Sequence, residues 1–410
     1  MSYVAQCAKM LLKMAGFGAF AFSTAFCSEE PRSSLIVQQP ISQTIASGST
    51  VVFSVTGVPG ATYQWQLNGV TIAGATGPQL VISGATAANA GNYTCWVTVN
   101  LPPIDGEPDI GLAALSAPAS LTIAGGTGGV QLIGRLINFS GLAFAGLGNP
   151  PLTLGFATQT SDKFPIGQVL LIRAVGPALA QSPFSVRGML PDPQFKVFAN
   201  SNFLGGNNPS DGGLDIAEIS TGAFTIPSGG PDAWQLRSFA PGTYTVQVSS
   251  IGGSTGTILG EVYDDTQSNV ITPTSASLVN GSCLSKVNSN SMITVGFVLG
   301  GSTSRTLLIR AVGPSLAAAP INLAGTMADP QMVLFSVGNN QETILATNSG
   351  WGGDSQIAAV GSSVFAFPLV NAASKDSAIL ITLPPGMYTT QVSSVAGVAG
   401  VVLVEIYLVP

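Results

Sequence analysis

The sequence contains no histidine, and this absence excludes several functional classes at once. The chain has 410 residues with 0 His, 13 Lys and Arg, and 19 Asp and Glu. Histidine is the commonest general base and metal ligand, so His-containing triads and His-ligated zinc are excluded, whereas carboxylate chemistry is not. A P-loop, a dinucleotide-binding fingerprint and a nucleophile elbow are also missing. We therefore predict a non-enzymatic protein with no catalytic residue, cofactor or metal.

Charge of either sign is scarce. Charged residues make up 8% of the chain, against about a quarter in an average domain, and the net charge is −6. No basic patch is available to neutralise phosphates, so nucleic acid is excluded as a partner. The mean hydropathy is +0.44, yet apolar residues alternate with Gly, Ser and Thr, and no run of about 18 apolar residues occurs. We expect no transmembrane segment once the N-terminal segment is removed.

The N-terminus has the pattern of a targeting segment. Lys9 and Lys13 precede an apolar stretch over residues 14–26, and two glutamates follow directly. This order predicts a secretory signal peptide over residues 1–27 and a secreted or cell-surface bacterial protein. Cys27 leaves lipidation open as an alternative, although Phe26 is bulky for the residue before a lipidated cysteine.

Cysteine is also scarce. The four cysteines are too few and too scattered for a disulfide framework, since Cys7 and Cys27 lie in the signal region. Cys95 and Cys283 fall in different predicted domains and are expected to be isolated thiols. By contrast, 50 Gly and 27 Pro indicate many short strands joined by tight turns.

Residues 34–124 carry the pattern of a β-sandwich. A strand around Trp65 ends at an Asn-Gly turn, and residues 89–95 read Asn-Ala-Gly-Asn-Tyr-Thr-Cys. This motif resembles the corner of immunoglobulin-like domains. The resemblance implies that Trp65 is the core tryptophan, Tyr93 the corner tyrosine and Cys95 the second cysteine. Phe53 occupies the place of the first cysteine, so an intersheet disulfide is excluded and Phe53 is expected to pack on Trp65.

The rest of the chain contains two copies of one long unit. The phrase Leu-Leu-Ile-Arg-Ala-Val-Gly-Pro begins at residue 170 and again at residue 307, and each copy ends on Glu-Val-Tyr or Glu-Ile-Tyr. So long a period indicates domain duplication rather than a solenoid. Gly-rich or polar linkers at 125–129 and 266–276 separate the units, which we place at 131–265 and 277–410.

Both units have the strand pattern of β domains. Apolar residues alternate or form short runs bounded by Gly and Pro, and the stretches 211–220 and 354–363 alone could hold a helical turn. The repeat resembles one found in large secreted proteins of Verrucomicrobia-type bacteria, a resemblance that implies no activity. The predicted fold class is all-β, an immunoglobulin-like sandwich followed by two tandem antiparallel β-sandwich or jelly-roll domains.

The charges that recur in both copies are informative in so uncharged a chain. Arg173 and Arg310 lie within apolar strands, and Glu261 and Glu405 lie within the last strand of each unit. An isolated buried charge is too costly to keep, whereas a bidentate pair is tolerated. We therefore predict a structural Arg–Glu pair in each unit.

A glycine-rich loop in the second unit is the candidate ligand site. Trp351 stands between glycines, with Asn348 and Asp354 nearby, so its ring could stack on a sugar or fold onto the sandwich. The loop 207–215 has oxygen-bearing residues that faintly resemble a calcium loop, with a polar surface loop as the alternative.

These patterns predict a secreted, non-enzymatic adhesion, scaffold or cell-envelope protein. Its partner is expected to be a protein or glycan at the cell surface. The alternatives are a carbohydrate-binding protein that uses the loops of the second unit, and an envelope hydrolase that uses two carboxylates.

Overall fold

The computed structural model describes ten stretches of the chain. They are residues 35–101, 110–124, 134–146, 149–159, 168–206, 217–218, 221–227, 229–265, 277–338 and 341–410. The predicted signal peptide, both linkers and the loop 207–215 lie outside these residues.

The predicted all-β fold class is confirmed, and the N-terminal part is an immunoglobulin-like sandwich. A 3₁₀ turn lies at Ala87–Asn89. The ten strands are β1 Ile36–Gln38, β2 Gln43–Ala46, β3 Val51–Ser54, β4 Thr56–Gly57, β5 Thr62–Leu67, β6 Val70–Thr71, β7 Gln79–Ile82, β8 Gly91–Leu101, β9 Ile110–Leu115 and β10 Ala119–Ala124.

Two sheets of this sandwich enclose its core. One sheet has the order β2-β10-β8-β5-β6, with β9 also paired to β8, and β3 pairs with β7 across the core. The predicted turn after β5 is confirmed, because Asn68 and Gly69 both have positive φ, at 50° and 80°. The buried aromatic rings of the core come from both sheets.

Each long repeat contributes eight strands. The first has β11 Arg135–Ala145, β12 Leu152–Gln159, β13 Gln168–Val175, helix α1 Pro177–Ala180, β14 Pro193–Ala199, β15 Asn202–Gly206, β16 Ala233–Phe239, β17 Gly242–Ser250 and β18 Gly256–Asp264. The second has β19 Ser277–Val287, β20 Met292–Gly300, β21 Arg305–Val312, helix α2 Pro314–Ala317, β22 Pro330–Gly338, β23 Gln341–Asn348, helix α3 Ser355–Ser363, β24 Ser377–Leu383, β25 Gly386–Ser394 and β26 Gly400–Leu408.

The two repeats share their sheets. The first layer has the order β15-β14-β17-β12-β19-β26-β21-β24, so it takes four strands from each repeat. The second layer mirrors it with the order β23-β22-β25-β20-β11-β18-β13-β16. All these pairs are antiparallel, and one pair, Leu136 with Leu278, joins β11 of one layer to β19 of the other. The repeats are therefore related by a pseudo-twofold exchange of half-sheets.

One hydrophobic core lies between the two layers. Its buried residues include Phe156 from the first repeat and Phe297 from the second. Glycines give room where the layers approach closely. A Cβ on Gly281 would lie 2.8 Å from the ring of Phe139, and one on Gly141 would lie 2.3 Å from Cys283 Sγ. The central strands β11 and β19 thus interlock across the core.

A tyrosine corner recurs in all three units. The hydroxyl of Tyr93 donates to the carbonyl of Asn89 at 2.7 Å. In the repeats, Tyr244 donates to Ala240 O at 2.7 Å and Tyr388 donates to Pro384 O at 2.6 Å. Each tyrosine reaches back four residues from the start of a strand, which is the geometry found in immunoglobulin-like sandwiches. This bond accounts for the tyrosine in the repeated Pro-Gly-x-Tyr phrase.

The immunoglobulin-like sandwich is held against the second repeat by a chain of hydroxyl groups. Val52 N–H donates to Thr382 Oγ1 at 2.6 Å, and Thr306 Oγ1 donates to Thr50 O at 2.5 Å. The two threonine oxygens are 2.7 Å apart. Because the Thr306 proton is directed at Thr50, Thr382 must donate to Thr306. Both threonine side chains are buried, so the joint has few alternative arrangements.

Apolar contacts surround this joint. Val52 of the sandwich lies in one buried cluster with Leu308, Leu380 and Val409 of the second repeat. Gln43 and Gln79 add side-chain amide bonds to the carbonyls of Thr382 and Leu380, at 2.8 Å and 2.9 Å. The sandwich therefore packs on the outer side of β21 and β24.

Helices play a minor part in the described stretches. The longest, α3, confirms the helical turn predicted over 354–363. The expectation that helical turns occur only there and in 211–220 was wrong, because the short helices α1 and α2 each begin at the proline of a Val-Gly-Pro phrase. Among the described residues, no helix has both the length and the apolar character needed to cross a membrane.

The contact between β11 and β19 gives a direct test of the exchanged core. We expect Gly141→Ala to lower the free energy of unfolding by about 1–3 kcal/mol, because its new methyl group would clash with Cys283 Sγ. Adding Cys283→Ala removes that sulfur, so the double variant should lose less than the two single losses added together. Urea titration measures both, with Gly338→Ala, which meets nothing within 4 Å, as the control. Strict additivity would contradict the contact.

Candidate functional site

The buried charges form the most organised polar site in the first repeat. Arg173 on β13 lies opposite Glu261 on β18, and its Nε and Nη2 donate to Glu261 Oε2 at 2.9 Å and 2.6 Å. Nη1 donates to the carbonyl of Phe224 at 2.6 Å. Tyr263 closes the cluster by donating to Glu261 Oε1 at 2.6 Å. All of these guanidinium bonds are thus made inside the protein.

Glu218 is a functional residue of this cluster that the sequence did not reveal. Its Oε1 lies 3.1 Å from Arg173 Nη1 and also accepts from Ile226 N–H at 2.9 Å. Burial alone lowers the pKa of Arg173, but electrostatic attraction to Glu261, Tyr263 and Glu218 and the hydrogen bond to Glu261 outweigh it and raise that pKa. The guanidinium therefore stays charged although it is fully buried.

The second repeat contains the same pair in a simpler form. Arg310 Nε and Nη2 donate to Glu405 Oε2 at 2.9 Å and 2.5 Å, and Nη1 donates to Phe367 O at 2.7 Å. Tyr407 donates to Glu405 Oε1 at 2.6 Å, and burial followed by the charge of Glu405 raises its pKa. Gly361 stands six residues before Phe367, as Glu218 stands before Phe224. The second arginine therefore lacks the additional carboxylate.

A second pair of buried carboxylates holds the turn after each arginine strand. Asp232 accepts from the amides of Gly176 and Ala178 at 2.7 Å and 3.0 Å. Burial raises the pKa of Asp232 despite these bonds. Asp376 accepts from Gly313 N–H at 2.9 Å in the same way. The glycine of the Val-Gly-Pro phrase is required here, since a Cβ on Gly176 would lie 2.1 Å from a carbonyl oxygen.

A third pair accounts for the repeated Gln-Val-Ser-Ser phrase. Ser250 Oγ donates to Asp192 Oδ1 at 2.7 Å, and Ser394 Oγ donates to Asp329 Oδ1 at 2.6 Å. The second carboxylate oxygen of each aspartate accepts a backbone amide two residues after that serine. These carboxylates close the turn before the last strand of each repeat.

The predicted ligand-binding loop is tied down by its own bonds. Asn348 Oδ1 accepts from the amides of Gly350 and Ala378, both at 3.1 Å, and Asp354 caps α3 by accepting from Gln356 N–H at 2.7 Å. Trp351 is half-buried against the apolar cluster that joins the sandwich to the second repeat, and its Nε1 donates to Asn371 O at 3.0 Å. Ligand binding by these three residues stays a prediction.

The four residues singled out in the N-terminal sandwich meet in its core. Trp65 on β5 is paired in register with Cys95 on β8. The ring of Phe53 stacks on Tyr93 at 4.6 Å, and its centroid lies 6.3 Å from that of Trp65. Phe53 therefore fills the space between two aromatic rings. Burial raises the pKa of the Cys95 thiol to about 11, so this thiol is neutral and poorly nucleophilic.

Metal ligands do not converge in the part of the chain that the structure covers. Groups of three or more His, Cys, Asp or Glu with suitable placement are not found among the described residues. The recurring carboxylates instead bind arginine, backbone amides and serine hydroxyls. Their arrangement fixes strands and turns.

Comparisons with known proteins return immunoglobulin domains at low similarity. No family model and no curated protein matches the chain. The immunoglobulin-like domain of human leucine-rich repeat-containing protein 4 is 21% identical, over 25% of this chain and 100% of its own, with a TM-score of 0.18. Immunoglobulin domains 1–5 of Sidekick-1 are 14% identical over 90% of this chain and 57% of theirs, with a TM-score of 0.17.

A fragment of titin gives a similar result. Its I-band domains I67–I69 are 12% identical over 89% of this chain and 95% of their own, with a TM-score of 0.15. TM-scores this low carry no argument about shape or function. The immunoglobulin-like assignment depends instead on the strand order, the tyrosine corner and the aromatic core of residues 35–124.

The two arginine clusters should respond differently to the same substitution. We expect Arg310→Met to cost about 3–5 kcal/mol of unfolding free energy, because Glu405 is left buried without its partner. Arg173→Met should cost more, because it leaves both Glu261 and Glu218 buried without their arginine partner. Denaturant titration measures the losses. Adding Glu405→Leu to Arg310→Met should recover part of the stability, and a single variant as stable as the parent would refute the pairing.

Proposed function

We propose that this protein is a non-enzymatic scaffold or adhesion protein of the bacterial cell surface. In this proposal the segment 1–27 directs export, and the units 34–124, 131–265 and 277–410 present β-sheet surfaces to a protein or glycan partner. The exchange of half-sheets between the two repeats is the observation that carries the proposal, because it makes them one stiff body. A body of this kind holds its binding surfaces at fixed positions, as a scaffold must.

The joint between the N-terminal sandwich and the second repeat adds support. Its hydroxyl chain and apolar cluster are buried, so the sandwich is held in one orientation. An immunoglobulin-like domain that served as a freely moving tether would have no need of buried bonds to its neighbour. This support is physical, and fold-level analogy adds little to it.

The carboxylates that recur in both repeats favour this proposal over a hydrolase. Glu261 and Glu405 are bound to arginine, and Asp232 and Asp376 are bound to backbone amides. All four are buried. A glycoside hydrolase needs two carboxyl groups that face the substrate across a cleft. These side chains are directed into the protein and are fully engaged there.

The stiffness of the joint can be measured through one threonine. We expect Thr382→Val to leave Val52 N–H without an acceptor and to speed deuterium exchange in residues 50–55. A peptide from β17 should exchange as in the parent, because it lies far along the same layer. Thr347→Val, on the exposed side of β23, serves as the matched control. Unchanged exchange at residues 50–55 would mean that the hydroxyl chain does not hold the joint.

Export is tested by fusing residues 1–33 to a phosphatase that is active only outside the cytoplasm. We expect activity from the parent fusion and its loss when Lys9 and Lys13 are both changed to Glu, because a signal peptide needs its positive start. Incorporation of labelled fatty acid into the fusion, compared with Cys27→Ser, decides whether the exported product is lipidated. An inactive parent fusion would remove export from the proposal.

A further inference from the structure

Matching positions on the outer sides of β17 and β25 differ sharply in exposure. On β17, the outward side chains Thr243, Thr245 and Gln247 are exposed. The positions that match the first two in the second repeat are Met387 and Thr389, and both are buried. One layer therefore presents a polar surface to solvent where its twin is covered. We call the outward side of β14, β17, β12 and β19 the open face.

The strand register explains the shape of the open face. Phe198 on β14 is paired with Thr245, which is paired with Gly155 on β12, which is paired with Ser282 on β19. A Cβ on Gly155 would lie 2.4 Å from Ser282 Oγ, so the centre of this row carries no large side chain. The surface is therefore shallow along the middle of the row, and the ring of Phe198 borders it at the β14 end.

A cleft of about 410 Å³ lies beside Phe198. It is lined by Phe198, Asn200, Ser201, Thr243, Tyr244, Thr245 and Gln247. This volume lies within the range of sites for small ligands, roughly 300–1,000 Å³. The β14–β15 hairpin forms one side of the cleft, and its turn residues Asn200 and Ser201 both have positive φ, at 44° and 68°.

Two aromatic rings stand at this edge. Phe203 is 61% exposed, and its ring centroid lies 5.7 Å from that of Phe198. An exposed phenylalanine beside hydroxyl and amide groups offers an apolar surface next to hydrogen-bonding partners. The C–H faces of a sugar ring match the apolar phenylalanine surface. The hydroxyl groups of the sugar match the hydrogen-bonding hydroxyl and amide groups.

The charge of the cleft narrows the ligand class. None of the described residues that line it is charged, so the lining itself offers no charged partner for a carboxylate or a phosphate. Lys196, the one charged residue of β14, is exposed and is paired directly opposite Gln247, so it lies beside the cleft and not in its lining. Hydroxyl and amide groups both donate and accept, as an uncharged polyhydroxylated ligand requires.

We propose that the open face binds a neutral polysaccharide chain at this cleft. A sugar ring stacks on Phe203 and Phe198, and its hydroxyl groups bond to Asn200, Thr245 and Gln247. The proposal rests on the glycan partner of the proposed function and deepens it by naming a ligand class and a site in the first repeat. It stands on the geometry of this face, so it does not depend on export or on the stiffness of the joint.

Affinity electrophoresis of the full chain tests the proposal. The probes are neutral soluble polysaccharides (xyloglucan, mannan, laminarin and hydroxyethylcellulose) and two acidic ones (alginate and polygalacturonate). We expect retardation by at least one neutral polysaccharide. Phe203→Ala and Gln247→Ala should each weaken it about tenfold or more. Both positions are exposed, and equal urea midpoints will show that the variants are folded.

The second repeat supplies the matched controls. Ile344 is 58% exposed and pairs with Phe335 as Phe203 pairs with Phe198, so Ile344→Ala should bind like the parent. Binding that is lost in Trp351→Ala but kept in Phe203→Ala would place the site in the second repeat and overturn the proposal. Retardation by the acidic probes alone, or by none of the probes, would overturn it as well.

Discussion

Neither long repeat completes a layer from its own strands, and the rest of the structure depends on this constraint. Strand β11 lies between β18 of its own repeat and β20 of the other, and β19 lies likewise between β26 and β12. Side chains from both repeats therefore fill a single core. Separating the repeats would expose that core, so their stability is shared.

Buried polar bonds fix the register of the strands that enclose this shared core. The repeated phrases coincide with the sites where a side chain bonds inside the fold, namely the arginine pair, the Val-Gly-Pro turn, the tyrosine corner and the Asp–Ser pair. In a chain with 8% charged residues, the recurring charges are kept where strands must align. A slip in register would move each arginine away from its glutamate and leave buried charges without their partners, so the pair favours a single alignment.

The sequence was sufficient for some of these features and insufficient for others. The Trp65, Tyr93 and Cys95 spacing identified the N-terminal sandwich, and the duplicated phrases identified the all-β repeats. The exchange was not predictable, because β11 and β19 are equivalent strands and hydrophobic alternation does not say which copy of a neighbour a strand selects. Glu218 was missed for lack of a counterpart in the second repeat. The exposure of Phe203 was not predictable, because it depends on the β14–β15 hairpin.

The pseudo-twofold arrangement has a consequence for how the surface could diversify. Two identical repeats, paired as separate chains, would carry the same side chains on both outer faces, so any change on one face would appear on the other. Joining both copies in one chain removes that restriction. Part of one outer face, over β25, can then remain covered while the matching part of the other, over β17, becomes polar and open, with no change in the strand pairing between them. The duplicated chain thus keeps the packing of a symmetric dimer without its symmetry.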